Sequence, residues 1–205
     1  MRVLFIAIGL VLSLVAGCGR FSYMNLREPI YLVTEDSFFA GCEKDWQGQE
    51  QCREWRRDQV KAGISQWFRF FTKKTRPKVY IVGSTSEIPN GMINRPIRLR
   101  VQPGLCKDPD PGEAGACYRQ NYFWSSPEMV FDTEQQILQA MVAHEFGHAL
   151  GLNHYERAGK DRSVMSAGEV GDNVVWDDIE QVCREHRECP VLADAEEYKN
   201  VGFVY

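Results

Sequence analysis

One eleven-residue run constrains this chain more than any other: His144-Glu145-Phe146-Gly147-His148-Ala149-Leu150-Gly151-Leu152-Asn153-His154. His144 and His148 are four apart, so on a helix they project from one face, one turn above the other. Both imidazoles then reach a single metal ion at about 2.0–2.1 Å. Glu145 stands between them, placed to act on a water at the metal rather than on the metal itself. Gly151 lets the chain leave the helix through a left-handed turn, which brings His154 back as a third ligand. A fourth position left to water is what separates a catalytic zinc from a structural one. The chain has 4 histidines and three fall in this run, so chance clustering accounts poorly for the pattern.

Ser163-Val164-Met165-Ser166 follows downstream. Taken together, H-E-x-x-H-x-x-G-x-x-H and a later methionine turn resemble the metzincin zinc endopeptidases, and the wording Ala143 to His154 is most similar to their matrixin-like branch. The identifying residues cover only 144–165, and a looser similarity of layout extends over roughly residues 29–188. The resemblance implies an α+β, zincin-like domain: a mixed twisted sheet of about five strands with three main helices, divided by a cleft just after Gly151. It implies Zn2+ held by His144, His148 and His154, with Glu145 as the catalytic general base. Met165 is then no ligand, and its turn packs beneath the imidazoles; the plainer reading is a core methionine, physically close to the first.

The same resemblance implies how a substrate lies. An extended polypeptide adds as a strand to an exposed sheet edge, here near Tyr118 to Trp124. The segment from Val170 to Val175 walls the pocket for the residue after the cut. Tyr122 and Trp124 read individually as ordinary sheet residues. The chain also departs from the family. No histidine precedes His144, so the matrixin structural zinc has no ligands, and no propeptide cysteine-switch sequence is seen. No tyrosine follows Met165 within its turn.

Composition sets the outer bounds. The 205 residues are 44% hydrophobic, 25% charged and 12% aromatic, which suits one globular domain with its own core. Net charge is −4, with both signs interspersed, so no Lys/Arg stripe supports nucleic-acid binding. Residues 1–17 read as a signal peptide: Arg2 supplies the positive start, and Val3 to Val15 is almost wholly apolar but short for a membrane span. The ending Leu14-Val15-Ala16-Gly17-Cys18 resembles a bacterial lipobox, which implies lipid attachment at Cys18 and a membrane-anchored, extracytoplasmic domain in the cell envelope. Gly19 after Cys18 implies the outer membrane in a Gram-negative source. Without lipidation the same segment implies secretion. Residues 18–28 form the tether and 29–205 the catalytic domain, expected as a monomer.

Six cysteines remain besides Cys18 and fall in local pairs. Proximity suggests Cys42–Cys52, Cys106–Cys117 and Cys183–Cys189 in an oxidising compartment, although six cysteines allow 15 connectivities. The disulfides would stand in for the structural metals of relatives. Asp108, Asp110 and Glu113 between Cys106 and Cys117 fail the EF-hand pattern and read as a solvated acidic loop.

Patterning places the elements. Strands are expected at Ile30–Val33, Lys78–Val82, Pro96–Val101, Cys117–Trp124 and Glu128–Phe131. Val60, Ile64, Trp67, Phe68 and Phe71 recur at three and four, which predicts a helix over about Arg53–Thr72. The metal helix is expected from Asp132 or Thr133, with Thr133 and Gln136 as a capping box and Ile137, Leu138, Met141 and Val142 buried. A last helix is expected over about Trp176–Glu188, with Asp177, Asp178 and Glu180 complementing its N-terminal dipole.

The sequence therefore implies a lipid-anchored, zinc-dependent endopeptidase acting on extended polypeptides through a zinc-activated water and Glu145. The alternative is a non-catalytic envelope binding lipoprotein that keeps the zincin scaffold. Glu145 argues against it, because a binding module needs no general base. A third reading keeps hydrolysis and moves it to cell-wall peptides.

Overall fold

The computed structural model describes residues 24–44, 48–71, 76–106, 115–120, 125–132, 137–155, 162–166 and 171–186. Residues 1–23, expected to hold a signal peptide and the start of a tether, lie outside them, as do Cys189, residues 107–114 with their acidic side chains, and Tyr122 and Trp124. Among the described residues no helix is long and apolar enough to cross a membrane.

Among the described residues the fold is α+β, with one five-stranded mixed sheet and three α-helices. The strands are β1 (Ile30–Val33), β2 (Val79–Val82), β3 (Ile97–Val101), β4 (Ala116–Arg119) and β5 (Glu128–Phe131). The helices are α1 (Gln49–Phe68), α2 (Gln139–Ala149) and α3 (Trp176–Glu185). Strand order is β2-β1-β3-β5-β4. The first four run parallel and β4 closes one edge antiparallel to β5. Parallel neighbours need a long crossover, and α1 supplies the one between β1 and β2. Central β1 is buried along its whole length, whereas β3 buries Ile97, Leu99 and Val101 and turns Arg98 and Arg100 outward. Full burial of a run such as Ile-Tyr-Leu-Val is what a central parallel strand needs.

Several expected boundaries move. The first helix begins at Gln49, ahead of Arg53, and ends at Phe68, short of Thr72. The fourth strand spans Ala116–Arg119, and residues 121–124 of the expected strand lie outside the described residues. The metal helix begins at Gln139 rather than Asp132 or Thr133. Its start has a tertiary cause: the Gln139 amide donates to Gln59 Oε1 on α1 at 3.0 Å, so a neighbouring helix caps it. The Thr133–Gln136 capping box lies outside the described residues. Ile137 is buried as expected, but Leu138, in the N-cap position, is 46% exposed. The last helix ends at Glu185, three residues before the expected Glu188.

Two of the proximity disulfides lie among the described residues, and Cys183 is disulfide-bonded too, its expected partner Cys189 lying outside them. Cys42–Cys52 ties the segment after β1 to the first turn of α1, and Cys106–Cys117 ties the chain after β3 to edge strand β4. Arg56 on α1, 1% exposed, donates to the carbonyls of Phe38 and Ala40 at 2.6 and 2.9 Å. A buried guanidinium thus satisfies the backbone of a short 3-10 turn at 36–39 that no sheet reaches.

The contact that places the metal helix is α1 against α2. Trp67 is fully buried and its indole N–H donates to the Ala143 carbonyl at 2.8 Å. Phe68 meets Phe146 edge-on, ring centroids 5.7 Å apart. Where the helices cross, a Cβ on Gly63 would stand 2.6 Å from the Gln139 carbonyl oxygen and 2.8 Å from Val142 Cβ. Only backbone fits there. Gly63→Ala should therefore force the helices apart and cost about 2 kcal/mol, lowering Tm by roughly 4–8 °C. Lys61→Ala, on the exposed side of the same helix, should stay within about 0.5 kcal/mol. Thermal denaturation of both compares them, and equal Tm values would refute the close-packing account.

Candidate metal centre

The motif places its histidines through two backbone devices. Within α2, His144 and His148 share a face, and their Nε2 atoms lie 3.2 Å apart. The helix then ends in a Schellman turn: Gly151 N–H bonds to the His148 carbonyl and Leu152 N–H to the Gly147 carbonyl, both at 3.0 Å. Gly151 sits at φ 94°, the left-handed value expected of it. Reversal of the chain there returns His154, whose Nε2 lies 3.1 Å from that of His148 and 3.0 Å from that of His144. A tetrahedral ion with bonds of 2.0–2.1 Å separates its ligand atoms by about 3.3 Å. The three nitrogens are thus grouped as ligands of one ion, and the chain has a candidate metal site at His144, His148 and His154.

The far ring nitrogens fix the tautomers. His144 Nδ1–H donates to the Val164 carbonyl, and His148 Nδ1–H donates to the Leu152 carbonyl at 2.8 Å. With the proton on Nδ1, each Nε2 keeps its lone pair for a metal. Burial also pushes His144 well below the ordinary histidine value, to about 4, although the Val164 carbonyl opposes the shift. Its ring is neutral at pH 7 and binds without first losing a proton.

Glu145 lies between the ligands and is 2% exposed. Met165 is fully buried and is packed against the same helix from below. A Cβ on Gly147 would collide with Met165 Sδ and stand 2.8 Å from Trp67 Cζ2. Methionine and tryptophan therefore rest directly on the helix backbone between the two ligands. The turn is also joined to the third ligand, since Tyr155 N–H donates to the Met165 carbonyl at 3.1 Å.

Three residues at the centre carry roles that periodicity does not reveal. Asp178, read from sequence as a dipole complement, is completely buried on α3. Its Oδ1 accepts from the Tyr155 hydroxyl at 2.5 Å and from the Ser163 hydroxyl, and its Oδ2 from the Val175 amide at 2.8 Å. Gln66 on α1 brackets the segment after the methionine turn, accepting from the Val174 amide at 3.0 Å and donating to the Asp172 carbonyl at 3.2 Å. The fourth histidine, His186, is no ligand; its Nε2–H donates to the Leu150 carbonyl at 3.0 Å, at the end of the metal helix. A hydrophilic residue after an acidic helix start, a polar residue inside an apolar stripe and a lone histidine are the only sequence traces of these contacts.

Edge strand β4 carries Tyr118, whose phenol burial pushes above its ordinary value. Its hydroxyl donates to Gln120 Oε1 at 3.4 Å, and it reads as a sheet residue. In the segment expected to wall a pocket, residues 171–175 are described: Val174 is buried and Asp172 and Asn173 face solvent. Cys18 lies outside the described residues.

No family model matches the chain, and no curated protein matches it.

A chain freed of metal by chelation should rebind one divalent ion, read by calorimetry or metal analysis. His154→Ala should weaken that binding by more than the 10–100-fold that loss of a supporting hydrogen bond costs. Undiminished uptake by the variant would show that the three nitrogens do not share an ion.

Proposed function

We propose that the chain is a zinc-dependent endopeptidase with a metzincin-like catalytic domain. The observation that carries this reading is the joint placement of three convergent histidine nitrogens and a buried glutamate on one helix and the turn that ends it. The donor set is three neutral imidazoles, which suits zinc and leaves a position for water, whereas a closed structural site would use four protein ligands, commonly cysteines. The antiparallel edge strand β4 beside α2 supports an extended polypeptide as substrate, because an open edge offers backbone donors and acceptors.

Bound zinc supplies Lewis-acid chemistry at this position, lowering the pKa of a coordinated water toward about 7 and stabilising negative charge on the substrate carbonyl oxygen. The chain's own residues do the rest. Glu145 takes the proton from the attacking water and returns it to the leaving amide nitrogen. Its burial raises the strength of each electrostatic contact it makes and keeps bulk water from competing. His144 and His148 keep their orientation because their backbone partners, the Val164 and Leu152 carbonyls, are fixed before substrate arrives. The N-terminal segment, by its resemblance to a lipobox, anchors the enzyme at Cys18 to an envelope membrane.

Cleavage of casein by the zinc-loaded chain tests the reading. The parent should cleave and lose activity with a chelator, and Glu145→Ala should retain zinc while its rate falls by about 10²–10⁴. A folded, zinc-loaded parent inert toward unfolded protein would refute the endopeptidase assignment.

A further inference from the structure

The contacts below the metal centre form one continuous path. His144 Nδ1–H donates to the Val164 carbonyl. That carbonyl belongs to the same peptide unit as the Met165 amide, which donates to Ser163 Oγ at 2.8 Å. Ser163 Oγ–H in turn donates to Asp178 Oδ1. His144, Ser163, Met165 and Asp178 are all at most 5% exposed. Water therefore does not interrupt the path.

We propose that Asp178 is a positioning residue for the metal centre, acting on His144 through this serine–peptide relay. The argument is electrostatic. A carboxylate that accepts the serine proton makes Ser163 Oγ a better acceptor for the Met165 amide. Withdrawal of that amide proton polarises the peptide unit and makes the Val164 oxygen more negative. A more negative oxygen binds the His144 Nδ1 proton more strongly and raises the basicity of Nε2. Hydrogen bonds in series strengthen one another in this way, most of all where the surroundings are dry. Metal-binding histidines commonly give their second N–H directly to a carboxylate or a carbonyl. Here a carbonyl is the direct partner and a carboxylate stands behind it.

A second anchor holds the preceding peptide, between Ser163 and Val164, from the other side. Val164 N–H donates to the Asn173 carbonyl at 3.0 Å, and Asn173 lies between the two residues that Gln66 brackets. The turn that carries the Val164 carbonyl is therefore held from both α1 and α3. Tyr155, next in sequence to ligand His154, donates to the same Asp178 oxygen, so one carboxylate ties the turn under the first ligand to the chain carrying the third.

The inference rests on the metal-centre reading, and its test keeps the two apart. Zinc affinity of the purified chain would be measured for the parent, Asp178→Asn, Ser163→Ala, the double variant and Val60→Ala, all far below their Tm. Val60 is a fully buried core residue of α1 and has no part in the relay. NMR of the His144 Nδ1–H and the visible spectrum of the cobalt-loaded protein report on the ligand itself. Each relay variant should weaken zinc binding by about 10–100-fold, move the Nδ1–H signal and shift the cobalt spectrum. The double variant should lose less than the product of the two single losses, because both act through one path. Val60→Ala should lower Tm and leave zinc affinity unchanged. Relay variants that lose Tm but keep zinc affinity, or a Val60→Ala that loses as much affinity as they do, would overturn the relay and leave the metal site standing. A folded parent that takes up no zinc would overturn the metal-site reading, and the relay with it.

Discussion

Two acceptor nitrogens held 3.2 Å apart gain nothing from each other. His144 and His148 are in that position, because their protons are committed to backbone carbonyls on the far side of each ring. His154 brings a third nitrogen to the same place. Such an arrangement concentrates negative potential at a point, and a cation is the natural counterpart. Much of the surrounding structure keeps these rings in place: the Schellman turn, the methionine turn tied to α3 through Asp178, and α1 packed against the metal helix.

The metal helix owes its position to packing of unusual closeness rather than to helix propensity. It is short, lacks a local side-chain cap and carries β-branched and aromatic residues along with Gly147. An isolated segment of that kind would not hold a helix in water. Trp67, Gly63 and Phe68 on α1 supply what the local sequence lacks, and Gln59 caps the first turn. The glycines at the two contacts have opposite partners. Gly63 admits the metal helix to α1, and Gly147 admits Met165 and Trp67 to the metal helix. A ligand-bearing backbone gripped on both sides has little freedom to tilt, which is what ligand geometry requires.

Sequence reading reached the site more fully than its supports. The His144–His154 grouping, the Gly151 turn and two local disulfides were legible because each is encoded over a short stretch, by spacing or by a backbone conformation that glycine favours. Strands β1 and β5 were legible to the residue because short apolar, β-forming runs, Ile-Tyr-Leu-Val after Pro29 and Met-Val-Phe between Glu128 and Asp132, leave little choice. The starts of α1 and α2 were not, although α3 begins at Trp176 as expected. Gln139 is capped by Gln59, eighty residues away in sequence, and no local pattern predicts a partner at that distance. Asp178 resembles any acid in a helix's first turn until the fold buries it against Ser163 and Tyr155. Gln66 is a polar break in an apolar stripe until residues 172–174 are seen against it.

Burial of Asp178 also bears on why a polar network lies under the site at all. A carboxylate removed from water costs several kcal/mol unless its oxygens are well satisfied, and Asp178 has three donors directed at it. An apolar residue of similar size would avoid that cost, so stability alone gives no reason to place an acid there. Geometry does give one. Packing against Met165 can hold the turn at a distance from the helix, but van der Waals contact does not select which way a carbonyl points. A hydrogen-bonded acid fixes the Ser163 hydroxyl, the hydroxyl fixes the Met165 amide, and the amide fixes the Val164 carbonyl in its own plane. Apolar packing sets the depth of the turn and the polar network sets its direction, and a ligand held by a single Nδ1 hydrogen bond needs both.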